Sequence, residues 1–284
     1  MQIEAFFDAR TWTISYLVWD ENTRDAVIID PVLDYDPLRV NIFEESIQNY
    51  TKRIEELGLK LHWSLETHAH ADHISGGARI REKLGAKLAI GKPITVVQSL
   101  FAAVFGRHDL DTSGGQFDKL VEDGEEIQAG SLRARAIHTP GHTPACVTWQ
   151  IGDALFTGDT IFMPDYGTGR CDFPKGSADD LYSSIQKLYA LPDSTRVFVG
   201  HDYQPGGRKV EWESTIGEEK AKNIQLKGHT TREEFVAFRK ARDAKLSPPN
   251  LIFQSIQCNI DAGNLPPPDA QGHRRLILPI GVFK

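Results

Sequence analysis

Apolar residues switch between strand-like and helix-like spacing along the first part of the chain. Short runs rich in β-forming residues predict strands, and apolar residues three and four positions apart predict helices. The predicted strands are Thr11–Trp19, Arg24–Ile29, Leu59–Leu65 and Lys87–Ile90, and the predicted helices are Asn41–Leu57 and Ile74–Leu84. Gly58 and Gly85 follow the two helices, at positions where glycine commonly ends a helix. This alternation indicates an α/β layered architecture.

The middle of the chain consists of short β-type runs separated by tight-turn residues, a pattern typical of an antiparallel meander. The runs are Glu125–Gln128, Leu132–Ile137, Cys146–Ile151 and Ala154–Thr157. Helical spacing then returns over Ala178–Tyr189, and Arg196–Val199 has the apolar character of a buried strand. The chain thus begins with alternating strands and helices, continues with a meander and then returns to a further helix and strand. This order predicts two sheets packed face to face with helices outside.

The composition changes after Gly206-Gly207. Thr231–Lys245 predicts a charged amphipathic helix with a capping sequence at its start, and prolines interrupt the tail beyond it. We therefore expect a catalytic domain over residues 1–214 and a helical extension over residues 215–284, packed on the same domain. Apolar tail residues either cover a homodimer contact or belong to the protein's own core; they are Leu251, Ile252 and Phe253.

Composition excludes several classes of protein. The chain has 284 residues, 40% hydrophobic and 25% charged, with a formal charge of −7. No long basic block is present, so nucleic acid is not an expected partner. No apolar run reaches the length of a membrane span, and the first residues predict a strand instead of a targeting signal. Cys146, Cys171 and Cys258 are too few and too scattered for a disulfide framework, which favours a reducing cytoplasm.

The strongest chemical signal is the run Thr67-His68-Ala69-His70-Ala71-Asp72-His73. Imidazole and carboxylate are ligands of zinc, iron and manganese. The run lies between a predicted strand and a predicted helix, which can hold a short loop rigidly. His68 and His70 would lie on one side of an extended segment, with Asp72 and His73 turned elsewhere as the helix begins.

Three further candidates each follow a predicted strand. His142 lies in His138-Thr139-Pro140-Gly141-His142-Thr143, Asp159 in Thr157-Gly158-Asp159-Thr160, and His201 in Gly200-His201-Asp202-Tyr203. Strand ends of packed sheets can meet at one rim, where sites usually form. We therefore expect His142 and Asp159 to join the first motif as ligands and His201 to lie in the same site.

The motifs THxHxDH, PGHT, TGD and GHDY, in this order, resemble those of the metallo-β-lactamase fold. The resemblance runs from about Ile14 to Tyr203 and implies an α/β (α+β) fold, an αββα sandwich of two packed mixed sheets with outer helices and a metal at one edge. Within that fold, Tyr166–Phe173, with its GRxDF element, and Gly200–Tyr203 look most like the persulfide dioxygenases, which oxidise glutathione persulfide.

That resemblance implies a single Fe(2+) per chain held by His68, His142 and Asp159, a set typical of non-haem iron oxygenases. It implies glutathione persulfide and O2 as substrates and sulfite and glutathione as products. His70, Asp72, His73 and His201 would orient the ligands and bound water, or serve a second metal. Because glutathione carries two carboxylates, Arg170 and Arg208 are candidates for binding it, with Tyr203 as a hydroxyl donor.

Two alternatives remain open. The same imidazoles and carboxylates suit two Zn(2+) or mixed ions, whose bridging hydroxide would hydrolyse a thioester, as in glyoxalase II-like enzymes. A non-catalytic, metal-binding member of the fold is the third possibility. Cys171 adjoins Arg170 but is expected to be a buried thiol without a catalytic role.

Overall fold

A computed structural model describes residues 1–282, which form fifteen strands and seven helices. The strands are β1 Gln2–Asp8, β2 Thr13–Trp19, β3 Asp25–Ile29, β4 Val32–Asp36, β5 Asn41–Phe43, β6 Lys60–Leu65, β7 Ile74–Ser75, β8 Lys87–Gly91, β9 Lys119–Val121, β10 Glu126–Ala129, β11 Leu132–His138, β12 Val147–Ile151, β13 Ala154–Phe156, β14 Arg196–Phe198 and β15 Glu213–Thr215. The helices are α1 Glu45–Glu56, α2 Gly77–Leu84, α3 Ile94–Phe105, α4 Ala178–Tyr189, α5 Ile216–Lys222, α6 Arg232–Asp243 and α7 Ile252–Asn259.

Two six-stranded mixed sheets form the body of the molecule. The first has the order β1-β2-β3-β6-β8-β9 and becomes parallel from β3 onward. The second has the order β10-β11-β12-β13-β14-β15 and is antiparallel except between β13 and β14. A small third sheet, β5-β4-β7, lies beside them.

The main core fills the space between the two large sheets. Alternate residues of a strand point to opposite faces, so Tyr16 and Val18 of β2 join the core between the sheets, together with Trp149 of β12. Leu17 points the other way and packs with Ile54 of α1. Both faces of the first sheet are thus buried, and the αββα sandwich implied by the motifs is confirmed.

Two predicted helices begin later in the structure than the apolar spacing indicates. Asn41–Phe43 is a strand paired with Asp34–Asp36, and α1 begins only at Glu45. Ile74–Ser75 pairs with Val32–Leu33, and α2 begins at Gly77. In both places pairing with β4 outweighs the local helical pattern, so the predicted boundaries at residues 41 and 74 are wrong.

The chain beyond residue 214 packs against the body. Thr231 caps α6 in a capping box with Glu234, and α7 packs with α3 in a second apolar cluster. Ile252 is buried in that cluster and Phe253 packs against it, so both contribute to the protein's own core. The division at 214/215 stays a prediction, as does a homodimer. None of the helices within residues 1–282 is long and apolar enough to cross a membrane.

A buried carboxyl group holds α5 in place. Glu219 accepts a hydrogen bond from the Asn223 side chain at 2.9 Å, and Asn223 also donates to the Gly167 carbonyl at 3.1 Å. Burial raises the pKa of Glu219 to about 8 from its ordinary value of 4.5. The folded protein therefore holds this proton more tightly than the unfolded chain does. The stability contributed by the neutral carboxyl is present below about pH 4.5 and is lost as the pH rises towards 8.

We expect Glu219→Gln to stabilise the protein at pH 8.5 by about 1–3 kcal/mol, which is a few degrees in Tm. The amide stays neutral and still accepts from Asn223, so the gain should shrink when Tm is measured at pH 5.5. Glu218→Gln is the matched control, because Glu218 pairs with Lys222 at the surface of the same helix. An equal gain at both pH values would contradict the assignment of a neutral carboxyl.

Candidate metal centre

Loops that follow four strands meet at one edge of the two large sheets. The histidine-rich loop follows β6, and the His142 turn follows β11. Asp159 follows β13, and His201 follows β14. Each strand is fixed in a sheet by pairing and packing, so the short loops at this edge are held rigidly. The structure thus brings these four loops, and the candidate residues they carry, to the same edge.

His68, His142 and Asp159 form one cluster of possible metal ligands. One ligand atom from each lies within 4.8 Å of the other two. His142 Nε2 is 3.6 Å from Asp159 Oδ2, and both histidines are buried. Burial, together with the neighbouring His70, lowers the pKa of His68 well below its usual value. A neutral imidazole is the form that binds a metal ion.

The second ring nitrogen of each histidine in this cluster has a hydrogen-bond partner. His68 Nδ1 lies 3.0 Å from the Thr67 hydroxyl, which in turn donates to Asp30 at 2.7 Å. His142 Nδ1 lies 2.8 Å from the Arg170 carbonyl oxygen. Such partners fix the tautomer and orient the other nitrogen towards a metal. His68 Nε2 is buried and has no protein partner within residues 1–282.

A second cluster lies beside the first. One ligand atom from each of His70, Asp72 and His201 lies within 4.8 Å of the other two. His201 Nε2 is 3.2 Å from Asp159 Oδ1 and 3.5 Å from Asp72 Oδ2. Asp159 thus stands between the clusters. Burial raises the pKa of its carboxyl, but the imidazoles of His201 and His142 outweigh that effect and hold the pKa well below its usual range.

His70 also faces two buried carboxylates outside these clusters. Its Nε2 is 3.1 Å from Asp30 Oδ1 and 3.8 Å from Glu66 Oε2. Burial lowers the pKa of His70, but Asp30 outweighs it and the pKa is raised to about 9. His70, Asp30 and Glu66 thus form a third group whose ligand atoms lie within 4.8 Å of one another, and neither ring nitrogen of His70 has a hydrogen-bond partner within residues 1–282. His73 Nδ1, for its part, lies 3.2 Å from both Thr13 Oγ1 and Asp72 Oδ2.

The donor set fits a metal ion. Buried ring nitrogens and a carboxylate oxygen have no hydrogen-bond partner among residues 1–282; they include His68 Nε2, His73 Nε2, His201 Nδ1 and Asp159 Oδ1. An unpaired buried polar group costs about 1–3 kcal/mol, and a coordinated cation would remove that cost. Two imidazoles and a carboxylate form a set that suits a divalent first-row metal with open coordination positions.

Two glycines permit the close packing of these loops. Gly158 has φ +48°, and a Cβ there would lie 2.4 Å from the Thr67 hydroxyl oxygen. A Cβ on Gly169 would lie 1.9 Å from the carbonyl oxygen of Asp159. Any side chain at either position would push apart the loops that carry Asp159, His68 and Arg170. The TGD and GRxDF motifs thus place glycine where backbone contact is needed.

A cavity of about 620 Å³ opens onto the cluster, with His142, Asp159 and Asp72 in its wall. This volume is typical of small-molecule sites. Its aromatic wall is formed by Trp12, Tyr35, Phe43, Phe162, Tyr166 and Tyr203, and its arginines are Arg10, Arg170, Arg239 and Arg242. The site therefore offers an apolar surface beside cationic groups.

The candidate substrate-binding residues lie in different surroundings. Tyr203 and Arg170 line the cavity, although Arg170 also pairs with Asp172 at 2.5 Å. Arg208 is not among the residues that line it within the described chain. The Arg208 guanidinium is held by Asp165 and Asp202, at 2.7 Å from each. Its position outside the cavity wall and its two carboxylate partners argue against a contact between Arg208 and substrate.

Arg242 is a cavity residue that sequence reasoning missed. The other arginines of the cavity wall each have a carboxylate partner, whereas no hydrogen bond or ion pair of the Arg242 guanidinium is present within residues 1–282. It lies on α6, whose charged residues look like an ordinary solvated face in the sequence. Only the docking of α6 beside the site distinguishes Arg242 from its charged neighbours.

The chain is similar to a known protein family and to several known proteins. The model of the metallo-beta-lactamase superfamily matches residues 13–201. A probable metallo-hydrolase of Burkholderia pseudomallei is 44% identical over the whole of both chains. A beta-lactamase hydrolase-like protein of Agrobacterium fabrum is 48% identical over 99% of this chain, which spans 65% of that protein.

Relatives with another activity in their name are also similar. A mitochondrial persulfide dioxygenase, ETHE1 of Bos taurus, is 34% identical over 94% of this chain and 90% of its own length. The crystal structure of ETHE1 from Myxococcus xanthus superposes with a TM-score of 0.75 at 32% identity, covering 93% of this chain and 100% of that one. The relatives thus carry both hydrolase and dioxygenase names.

We expect His142→Ala and Asp159→Ala each to lower the affinity for Fe(2+) or Zn(2+) by at least about 100-fold, because each removes a ligand from a three-residue set. The measurement is chelator competition, followed by metal analysis of the desalted protein. His138→Ala is the control, since His138 ends β11 and lies 3.1 Å from the Val121 carbonyl. Unchanged affinity in both variants would exclude these two residues as ligands.

Proposed function

The chain belongs to the metallo-beta-lactamase superfamily, and from this membership and the geometry of its site we propose that it is a persulfide dioxygenase. The reaction is GSSH + O2 + H2O → GSH + SO3²⁻ + 2 H⁺. The S–S bond of the persulfide breaks, and four electrons move from the sulfane sulfur to dioxygen. One Fe(2+) per chain, held by His68, His142 and Asp159, is the proposed cofactor.

The observation that carries the proposal is the difference between the histidines. His68 and His142 each have one ring nitrogen tied to a neighbour and the other directed into the cluster with Asp159. His70 instead lies against the carboxylates of Asp30 and Glu66. This arrangement favours one ion over two. The persulfide dioxygenase named among the relatives supports the same choice.

A ferrous ion, when bound, supplies charge neutralisation for an anionic sulfur and electron transfer to dioxygen. The residues of this chain orient the ligands and shield the reacting sulfur. Thr67 and the Arg170 carbonyl hold the two imidazoles in the required tautomer and orientation. The aromatic side chains of the cavity, Phe162 and Tyr166 among them, limit the access of water to the reacting sulfur.

Substrate recognition falls to the outer part of the cavity. Glutathione persulfide carries two carboxylates, and a guanidinium binds such groups with strong charge-assisted hydrogen bonds. Arg242 has no carboxylate partner in the described chain and lines the cavity. Tyr203 lies in the same wall and is a hydroxyl donor. Arg170 contributes charge, although Asp172 holds one edge of its guanidinium.

Hydrolysis of a glutathione thioester is the second candidate function. The position of Asp159, 3.6 Å from His142 and 3.2 Å from His201, is one from which a carboxylate can bridge two ions. A second ion would take His70, Asp72 and His201, whose ligand atoms lie within 4.8 Å of one another, in competition with the contact between His70 and Asp30. The hydrolase names of two relatives make this the alternative to test.

We expect purified protein to contain one iron per chain and to consume oxygen and release sulfite when given GSSH. Hydrogen sulfide and glutathione disulfide serve as control substrates and should give no oxygen uptake, because neither is a persulfide anion. S-lactoylglutathione tests the alternative. Two zinc or mixed ions per chain, with thioester cleavage and no oxygen uptake from GSSH, would replace the dioxygenase proposal with the hydrolase.

We expect Arg242→Gln to lower kcat/KM for GSSH by about ten- to a hundredfold, mainly through KM, because one charge-assisted hydrogen bond contributes about 1.5–3 kcal/mol. Oxygen-electrode traces over a range of GSSH concentrations give both constants. Lys240→Gln removes one positive charge from the same helix outside this cavity and is the matched control. Equal effects of the two variants would indicate general electrostatics and argue against contact with substrate.

A further inference from the structure

A side-chain amide near the end of the chain binds the histidine-rich loop. Asn259, at the end of α7, is 3% exposed. Its Nδ2 donates to the carbonyl oxygens of His70 and His73, at 2.8 Å each. Its Oδ1 accepts from the backbone N–H of Ser75 at 2.8 Å. One amide thus uses both donors and its acceptor on this loop.

The packing around Asn259 is equally close. Gly263 has φ +79°, and a Cβ there would lie 2.6 Å from the Ser75 carbonyl oxygen. Ala69 and Ala71 of the loop belong to the same apolar cluster as Ile256 and Ile260. The end of α7 is therefore seated on the histidine-rich loop, with no room for an intervening side chain.

A second anchor reaches the other side of the site from α6. Asp243 accepts from the backbone N–H of Cys171 at 2.8 Å, and Arg239 donates to the Thr168 carbonyl at 3.3 Å. Arg239 and Asp243 form a buried ion pair at 2.6 Å. Between these attachment points lies Arg170, whose carbonyl oxygen is the partner of His142 Nδ1.

We propose that residues 231–263, here called the C-terminal segment, position the metal ligands. Asn259 sets the backbone path of the loop that begins with His68. The Arg239–Asp243 pair sets the position of the carbonyl that orients His142. The two anchors approach the site through different loops, so the spacing between His68 and His142 depends on both. This inference rests on the proposed metal site and assigns to it positioning residues outside the matched region 13–201.

The test compares Asn259→Ala and Asp243→Asn in the full chain with Asn264→Ala. Asn264 is exposed and donates to the Asp261 carbonyl, away from the histidine-rich loop, so it is the matched control. Each protein is loaded with Co(2+), whose visible absorption reports ligand geometry, and its affinity is measured by chelator competition. We expect both anchor variants to bind about 10–100-fold more weakly, with shifted absorption bands, as is typical when groups that orient metal ligands are removed. The control should match the unsubstituted protein.

Thermal unfolding in excess chelator separates positioning from plain stability. If an anchor variant loses metal-free stability but keeps the affinity and the spectrum, the residue is structural only and the inference is wrong. Asn259→Asp, which keeps the shape and the acceptor but removes both donors, repeats the test should Asn259→Ala not fold. If His142→Ala also binds cobalt with unchanged affinity, the proposed metal site itself fails. If His142→Ala loses cobalt affinity while both anchor variants keep the affinity and the spectrum of the unsubstituted protein, the metal site stands and only the positioning role of the C-terminal segment is wrong.

Discussion

Burial of unpaired imidazole and carboxylate groups at one edge of the two sheets is the constraint on which the rest of the structure depends. His68 and His142 are almost fully buried, and Asp159 is only slightly exposed. Leaving such groups buried without partners is costly. Packing of the strands beneath them and hydrogen bonds to their other atoms hold these groups together. A bound cation would offset the remaining free-energy cost of burying these groups, so metal binding and the local fold would stabilise each other.

The first part of the site could be predicted from the sequence because its members are close together in the chain or follow strands. The HxHxDH run lies in one short loop, and His142, Asp159 and His201 each come directly after a strand. Arg242 and Asn259 carry no such signal. Asn259 binds a carbonyl 189 positions away, and a lone asparagine late in an apolar helix has no pattern that points there. Contacts of this range come from tertiary packing, which one sequence does not display.

The fold was predictable to a similar extent. Strands with clear alternation and the helix Ala178–Tyr189 appear as predicted. Helix α3 was missed because its first turn is β-branched, from Ile94 through Val97, and because the helix is too apolar to show a polar face. Packing against α7 overrides that local preference. The errors thus fall where tertiary contact outweighs propensity.

Oxidation and hydrolysis would use the same candidate ligands, so the choice between them depends on the surroundings of those residues. The matched superfamily region ends at residue 201 and contains every candidate ligand. Arg242, Asn259 and the Arg239–Asp243 pair all lie beyond it. Arg242 lines the cavity, whereas Asn259 and the Arg239–Asp243 pair bind the backbone of the loops that carry or adjoin the candidate ligands. Under the proposed function, this segment would position the metal ligands and contribute Arg242 to the entrance for substrate. The balance between oxidation and hydrolysis would then depend on this segment as well as on the motifs that identify the fold.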